Sequence, residues 1–424
     1  MMNKGFLAAA LATVVAIPAA SWYTGQQYQK IVEQQMALAS EMPNVEVTLE
    51  VMDDSLFGRT ERYLYLMDDP SLEIALEFAA TQTLSFWPLF LRGEVALDFE
   101  HGTLAEFAQQ LETLPQMRGG WSAFIPGGKA KVDLQLDAMA LTLPDGEAHL
   151  ALSPIHYRGD FALDLSTSYG ELSLASLTFR VPDNDGELLI TDLHFSGDAV
   201  MTDGIAEMQS MAFQLGEFRF DDGHDVSLVM TALTMSGETQ EQESTLDLVS
   251  LWSVQELQFA SALDGSKTGL SNLRFDTVFK GLDKAAYRRL QQLEQSDPIQ
   301  MEHELIEALD ALLAAGIQWQ LSDVSADLDV MMPGQTLKGQ FQTQGQLSMA
   351  PTSIQQLIGP MAIAQFSAQL DINFSESLFA QHPLAPVLEQ LTETGMFTLE
   401  QERFRTELQF EQGMIQLNGQ PLPM

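Results

Sequence analysis

The residues of this chain that could do chemistry are seven histidines, 59 carboxylates and one tight group of cations. His101, His149, His156, His194, His224, His303 and His382 include no pair at a zinc-binding spacing such as H-E-x-x-H. Glu302-His303-Glu304 falls in a predicted helix, where neighbouring side chains point about 100° apart, so a solvated face is expected. Asp183-x-Asp185-Gly186 resembles part of a calcium loop. An EF-hand register would put Val181 in the first ligand position and Asp192 in the last, and valine cannot ligate. A hairpin turn is the better reading. Asp221-Asp222-Gly223-His224-Asp225 offers carboxylates and an imidazole for weak divalent binding, but again reads first as a turn. Lys284, Arg288 and Arg289 share one helix face in a very acidic chain. They could meet an acidic partner, a lipid headgroup or a neighbouring acidic strand, and the last is preferred. G-x-S-x-G, a P-loop and a G-x-G-x-x-G after a strand are all missing. No catalytic residue, cofactor or metal site is therefore expected.

Composition narrows the field further. Lys and Arg number 20 against the 59 acids, a formal net charge of -39. Such a surface repels phosphate backbones and argues against nucleic acid as a partner. It also repels anionic headgroups, so bilayer contact would be apolar or limited to a local basic spot. Cysteine is absent, which removes disulfides, thiolate metal sites and cysteine nucleophiles.

The elements that must position these residues begin with an apolar run. Residues 5–23 carry no charge, Lys4 precedes them, and Trp22 and Tyr23 sit where interfacial aromatics sit. A signal anchor over residues 1–23 is predicted, with the N-terminus cytoplasmic and the bulk outside. A cleaved signal is less favoured, because every cut near Ala16-Ile17-Pro18-Ala19-Ala20 places Pro or Ile badly. A juxtamembrane helix is predicted within residues 24–43, from the spacing of Tyr28, Ile31, Gln35 and Leu38. From residue 44 period-two alternation dominates, as in Val45-x-Val47-x-Leu49-x-Val51 and Val132-x-Leu134-x-Leu136. The fold class is mainly β with a few helices (α+β): a transmembrane helix, then a long, curved, mostly antiparallel sheet with helical inserts. Its β-rich parts are residues 44–282 and 317–424 of one domain, with a helical insert over residues 283–316 broken at Asp297-Pro298. Shorter helices are predicted at Thr103–Leu114, Ile354–Ile363 and Pro383–Glu393.

One pattern recurs in the strands: apolar-x-apolar-x-x-apolar-x-apolar. It occurs at Leu134–Leu141, Leu172–Phe179, Leu188–Phe195, Leu228–Met235 and Trp319–Ala326. The alternation slips by one residue at its centre. Either a bulge restores the apolar residues to one face, or two short strands meet at a tight link. Copies about 55 residues apart hint at an internal duplication.

Taken in order, several stretches resemble the YdgA/YihF-like family of bacterial envelope proteins. They are Trp22-Tyr23-Thr24-Gly25, Ser55-Leu56-Phe57-Gly58, His101-Gly102, Leu282–Tyr287 and the closing Thr406–Gly419. At Thr103 the family tends to have Pro, so that match is partial. The resemblance implies an inner-membrane anchor and a periplasmic domain, and carries no catalytic residues. It makes His101 and Gly102 the first candidates for functional interest, with Lys284, Arg288 and Arg289 beside them. The function expected is that of a non-enzymatic envelope protein holding a lipid or another apolar ligand on a curved sheet. One alternative is a protein-interaction module, an envelope-protein partner or a homodimer using exposed strand edges. A hydrolase with a site unreadable from sequence is the other.

Overall fold

A computed structural model describes residues 19–33, 36, 45–69, 74–142, 148–164, 166–182, 185–202, 205–293, 298–332, 335–358, 362–380, 382–411 and 413–422. Residues 5–18 of the predicted anchor lie outside these, as do Asp183 and Asn184 of the calcium-like turn. No helix among the described residues is long and apolar enough to cross a membrane. The chain forms two compact units, residues 1–179 with 196–207, and residues 180–195 with 208–424.

The first unit opens with a helix over residues 19–33 (α1). Strands β1 (Val45–Ser55), β2 (Gly58–Asp69), β3 (Ile74–Trp87) and β4 (Phe90–Asp98) follow as antiparallel neighbours. A short helix α2 (Gly102–Ala108) leads to β5 (Met117–Phe124) and β6 (Lys129–Leu136), and β5 pairs on either side with β4 and β6. The hairpin β7 (Met139–Thr142) and β8 (His149–Leu152) precedes β9 (Ile155–Ala162) and β10 (Thr167–Val181). β9 lies between β6 and β10. In β1 the alternation predicted from Val45, Val47 and Leu49 appears as half-buried residues alternating with exposed ones. The predicted helix from Thr103 stops at Ala108, because Leu111 is drawn into a β-bridge with Leu141. α1 lies on the sheet: Tyr28 and Val32, one turn apart, are buried with Leu84, Phe86, Leu91 and Ala123.

The second unit takes the first part of β11 (Gly186–Thr202) and most of β12 (Ile205–Asp221), with β13 (Val226–Glu241), β14 (Thr245–Ser261) and β15 (Lys267–Asp283). Two helices, α3 (Lys284–Leu293) and α4 (Pro298–Ala314), precede β16 (Ile317–Met332) and β17 (Gln335–Met349). Then come α5 (Ile354–Ile358), β18 (Phe366–Ser375), α6 (Ala385–Glu393), β19 (Thr398–Glu400), β20 (Arg403–Glu411), β21 (Met414–Leu417) and β22 (Gln420–Pro421). β12 to β18 pair in sequence order, each antiparallel to the next, and β18 continues onto β20. The mostly antiparallel sheet with helical inserts is thus present, with the insert broken where Pro298 begins α4. On α4, Ala308 and Leu313 are buried, whereas Leu305 and Ile306 are exposed.

The slipped alternation is resolved in three ways. At Leu134–Leu141 the chain breaks into β6 and β7, the two-strand solution. At Trp319–Ala326 the register between β16 and β17 shifts between Leu321 and Val324, the predicted bulge. At Leu228–Met235 the register is kept on both sides, Leu233 facing Leu215 and Thr231 facing Glu256. There Ala232 alone turns to φ 50, and Asp192 on β11 and Asn272 on β15 do the same at φ 51 and 52. At Ala232 the left-handed residue flips the phase without consuming one in either neighbour, whereas at Asn272 the register is kept with β14 and shifts with β16 between Ser271 and Arg274. Gly216 on β12 takes the position facing Ala232, and a Cβ there would stand 2.8 Å from an Asp192 carboxylate oxygen. The unit repeats at forty residues (192, 232, 272), not at the 55 suggested by the sequence pattern. Its effect is a continuous apolar face. Phe213, Met235, Trp252, Phe275 and Val324 face one another across five strands, and beyond the flip Phe218, Met230, Leu257, Leu270 and Leu328 continue the face.

Candidate functional site

The residues singled out in the sequence are engaged in holding elements together. His101 precedes α2, with its Nε2 3.0 Å from Glu77 Oε1 on β3. Gly102 has φ +59, and a Cβ there would lie 2.3 Å from the Glu77 carbonyl oxygen, so only glycine fits. The pair fastens α2 against β3. Lys284 and Arg288 on α3 both reach Glu241 at the end of β13, Arg288 at 3.7 Å, and Arg289 contacts Glu307 on α4 at 2.6 Å. Of the readings weighed for this face, the neighbouring acidic strand describes Lys284 and Arg288. In the acidic turn, Asp222 Oδ1 accepts the backbone N–H groups of His224, Asp225 and Val226, each at 2.9 Å. These bonds, led by those from Val226 and His224, lower the Asp222 pKa. The turn reading accounts for that carboxylate. No cluster of three metal-ligating side chains occurs among the described residues.

The site with the most developed geometry lies in the first unit, between α1 and the sheet. Strand β2 carries Arg59, Glu61, Tyr63 and Tyr65 at period two, which places all four on one face. α1 covers that face and sets Tyr28 above Glu61. The Glu61 side chain is fully buried. Its Oε2 accepts hydrogen bonds from Tyr28 at 2.5 Å and Tyr63 at 2.9 Å, while Arg59 approaches Oε1 at 3.4 Å. The Tyr28 hydroxyl in turn accepts from Gln82 Nε2 at 2.9 Å, and Gln82 Oε1 accepts from the Trp121 indole at 2.9 Å. Trp121 and Tyr28 stack with ring centroids 6.0 Å apart. Burial, then the neighbouring Tyr63, and the bond to Glu61 push the Tyr28 phenol pKa up. Burial does the same at Tyr63 and Tyr65. All three phenols are neutral donors at ordinary pH. A buried carboxylate with this many donors is the arrangement under which such a charge is tolerated.

Beside this cluster is a cavity of about 390 Å³. Its walls are Ile31 from α1, Val95, Trp121, Ala130 and Val132 from the middle strands, and Phe161 to Leu163 at the end of β9. The size falls within the range of about 300–1,000 Å³ usual for small-molecule sites. The Glu61 cluster bonds within itself, so the surface offered to a ligand is mostly hydrocarbon, with the Tyr65 hydroxyl as its free polar group. The Tyr65 hydroxyl, which also lines the cavity, has no hydrogen-bond partner among the described residues. Sequence reasoning placed Tyr28 on a helix but missed Glu61, Gln82 and Trp121. The readable signal was the R-x-E-x-Y-x-Y run of Arg59 to Tyr65, charge and phenols sharing one face of a strand.

Fold and site together define a mainly antiparallel β protein with an apolar cavity roofed by its first helix. The chain belongs to the family described as bacterial protein of unknown function (DUF945), whose profile matches residues 123–424. A bacterial family of unknown function is what the resemblance to the YdgA/YihF-like proteins implied; the narrower name stays a resemblance. No curated protein and no solved structure matches the chain. The match includes Ala130, Val132 and Phe161–Leu163, and begins after Tyr28, Glu61, Gln82 and Trp121.

Proposed function

We propose that this chain is a membrane-anchored, non-enzymatic protein of the bacterial envelope. Its bulk is periplasmic, and it holds an apolar ligand in the cavity beneath α1. The observation that carries the reading is a mostly apolar cavity bordered by a helix whose own polar residue is fixed by a buried carboxylate. The cluster's polar groups are bonded to one another and leave no nucleophile and base poised together, which supports binding over catalysis. The anchor reading rests on the uncharged run of residues 5–18 directly before α1.

The test is gentle extraction of the full chain from membranes, followed by native mass spectrometry and solvent extraction of what co-purifies. A stoichiometric apolar molecule is expected in the wild type. It should be missing from Ala130→Phe or Ala162→Phe, which fill the cavity, with near-ultraviolet circular dichroism unchanged in at least one of them. Wild-type protein without any bound apolar molecule would overturn the proposal. A second reading, an interaction module or homodimer, is favoured by the exposed Trp252 on the apolar face it shares with Met235 and Phe275 in the second unit. Light scattering of the detergent-solubilised chain decides it: a monomer with no crosslinked envelope partner counts against it.

A further inference from the structure

We infer that the hairpin tips at one end of the first unit form a membrane-docking rim that sits in the headgroup–acyl boundary of the bilayer. The pairing registers place these tips in one line. Ser55 faces Gly58 and Gly58 faces Ser85; Trp87 faces Phe90, Phe90 faces Phe124, and Phe124 faces Lys129. Along that line the turns present Leu56, Phe57, Trp87, Leu89, Phe90 and Phe124, all exposed, with Trp87 at 66%. Six large apolar side chains at adjoining tips are unusual on a water-facing edge, where polar turn residues are the norm.

The occupant follows from α1. Leu89 N–H donates to Thr24 Oγ1 at 3.0 Å, Gly25 lies against the Phe86 ring, and Tyr28 meets Gln82. The helix therefore starts at the tips and runs inward along β3, so its first turn lies at this end of the unit. Trp22 and Tyr23 in its first turns are exposed beside the tips, as aromatics are at a membrane interface. Between Lys4 and α1 lie 14 uncharged residues, 5–18. That is fewer than the roughly 20 apolar residues a membrane span needs, so the bilayer boundary falls at the first turn of α1 and the tips. Charge agrees. In a chain of net -39, the segments 55–58, 86–91 and 124–129 contain no acid, and Arg92 and Lys129 beside them are exposed cations. This is the local exception to headgroup repulsion that so acidic a protein needs.

The inference rests on the anchoring part of the proposed function and is independent of the cavity's ligand. To test it, the full chain is reconstituted in phosphatidylcholine vesicles doped with phosphatidylcholine brominated high on the acyl chain. Two single-tryptophan forms are compared, with the remaining tryptophans changed to Phe: one keeps Trp87 and the other carries Leu66→Trp, at an exposed position eight residues along β2 from the Gly58 tip. Trp87 emission is expected to fall strongly and that of the tryptophan at position 66 to be almost unchanged. Phe57→Asp with Phe90→Asp should restore the Trp87 emission. Equal quenching of the two tryptophans, or none at Trp87, overturns the inference. Should the multiple substitution impair folding, the difference in quenching between wild type and Trp87→Phe gives the same reading. Carbonate washing reports the anchor separately. If the chain washes off, the anchor reading fails, and the rim is judged by the same quenching after the released chain is added to vesicles.

Discussion

Tyr28→Phe isolates the contribution of the polar cluster that fixes α1 over the cavity. The ring stays, so its stacking on Trp121 is kept and no void of consequence opens. What goes is one hydroxyl that donates to Glu61 at 2.5 Å and accepts from Gln82 at 2.9 Å. A hydrogen bond to a charged group contributes about 1.5–3 kcal/mol, and a buried donor left unpaired at Gln82 adds about 1 kcal/mol. Tyr63 still donates to Glu61 and Arg59 still faces it, which limits the damage. The expected loss is about 2–4 kcal/mol for the first unit. In a Glu61→Gln background the same substitution removes only a neutral bond, worth about 0.5–1.5 kcal/mol. A double-mutant cycle should therefore show a coupling of about 1–2 kcal/mol between positions 28 and 61. Urea unfolding of the detergent-solubilised chain, followed by the emission of Trp121 in a form lacking the other tryptophans, measures it. A loss under about 0.5 kcal/mol, or two lesions that simply add, would refute the view that Glu61 holds α1.

Other outcomes follow from the same contacts. Gly102→Ala should destabilise the chain by about 2–4 kcal/mol in a denaturant titration, through the left-handed backbone and the clash with Glu77, whereas His101→Asn should cost under about 1 kcal/mol. Ala232→Gly should stabilise by about 0.5–1 kcal/mol, since glycine relieves the left-handed strain but loses more entropy on folding; a lower urea midpoint would count against the strained-hinge account. The phenols of Tyr28, Tyr63 and Tyr65 have folded pKa values raised above the ordinary tyrosine value, so the unfolded chain releases those protons first. Their stabilisation is complete below about pH 10 and is lost as pH rises further, so the thermal midpoint should fall between about pH 10 and pH 12. That fall should be shallower in Tyr28→Phe. Lys284→Ala should raise amide exchange in α3 more than in α4, because it leaves α3 held to Glu241 by Arg288 alone, at 3.7 Å, while the link of Arg289 to Glu307 remains.

Local chemistry was legible in the sequence; long-range pairing was not. Period-two alternation located the strands, because a half-exposed sheet writes its two faces into alternate residues. Pro298 located the start of α4, because the residue before a proline is disfavoured in a helix and the proline ring suits the first turn. The slipped alternation was visible too, but its resolution depended on the neighbouring strand: Gly216 makes room beside Ala232, and Leu111 turns a predicted helix into a bridge. The cavity stayed hidden for the same reason. Tyr28, Glu61, Gln82 and Trp121 belong to four elements, and nothing local in any of them marks a bond to the others. His101 and Gly102 were singled out because the family resemblance includes them, and a resemblance retains a turn that only glycine can make whether it serves folding or binding.

The forty-residue interval between Asp192, Ala232 and Asn272 makes one hairpin the unit of length in this part of the chain. Adding or deleting a single strand would reverse the direction of the next and misplace its hinge, turning grease outward and charge inward. Adding or deleting a whole hairpin would leave every hinge aligned with its neighbours. Relatives should therefore differ here by two strands at a time, and the reach of the apolar face can be lengthened or shortened in equal steps without redesigning it.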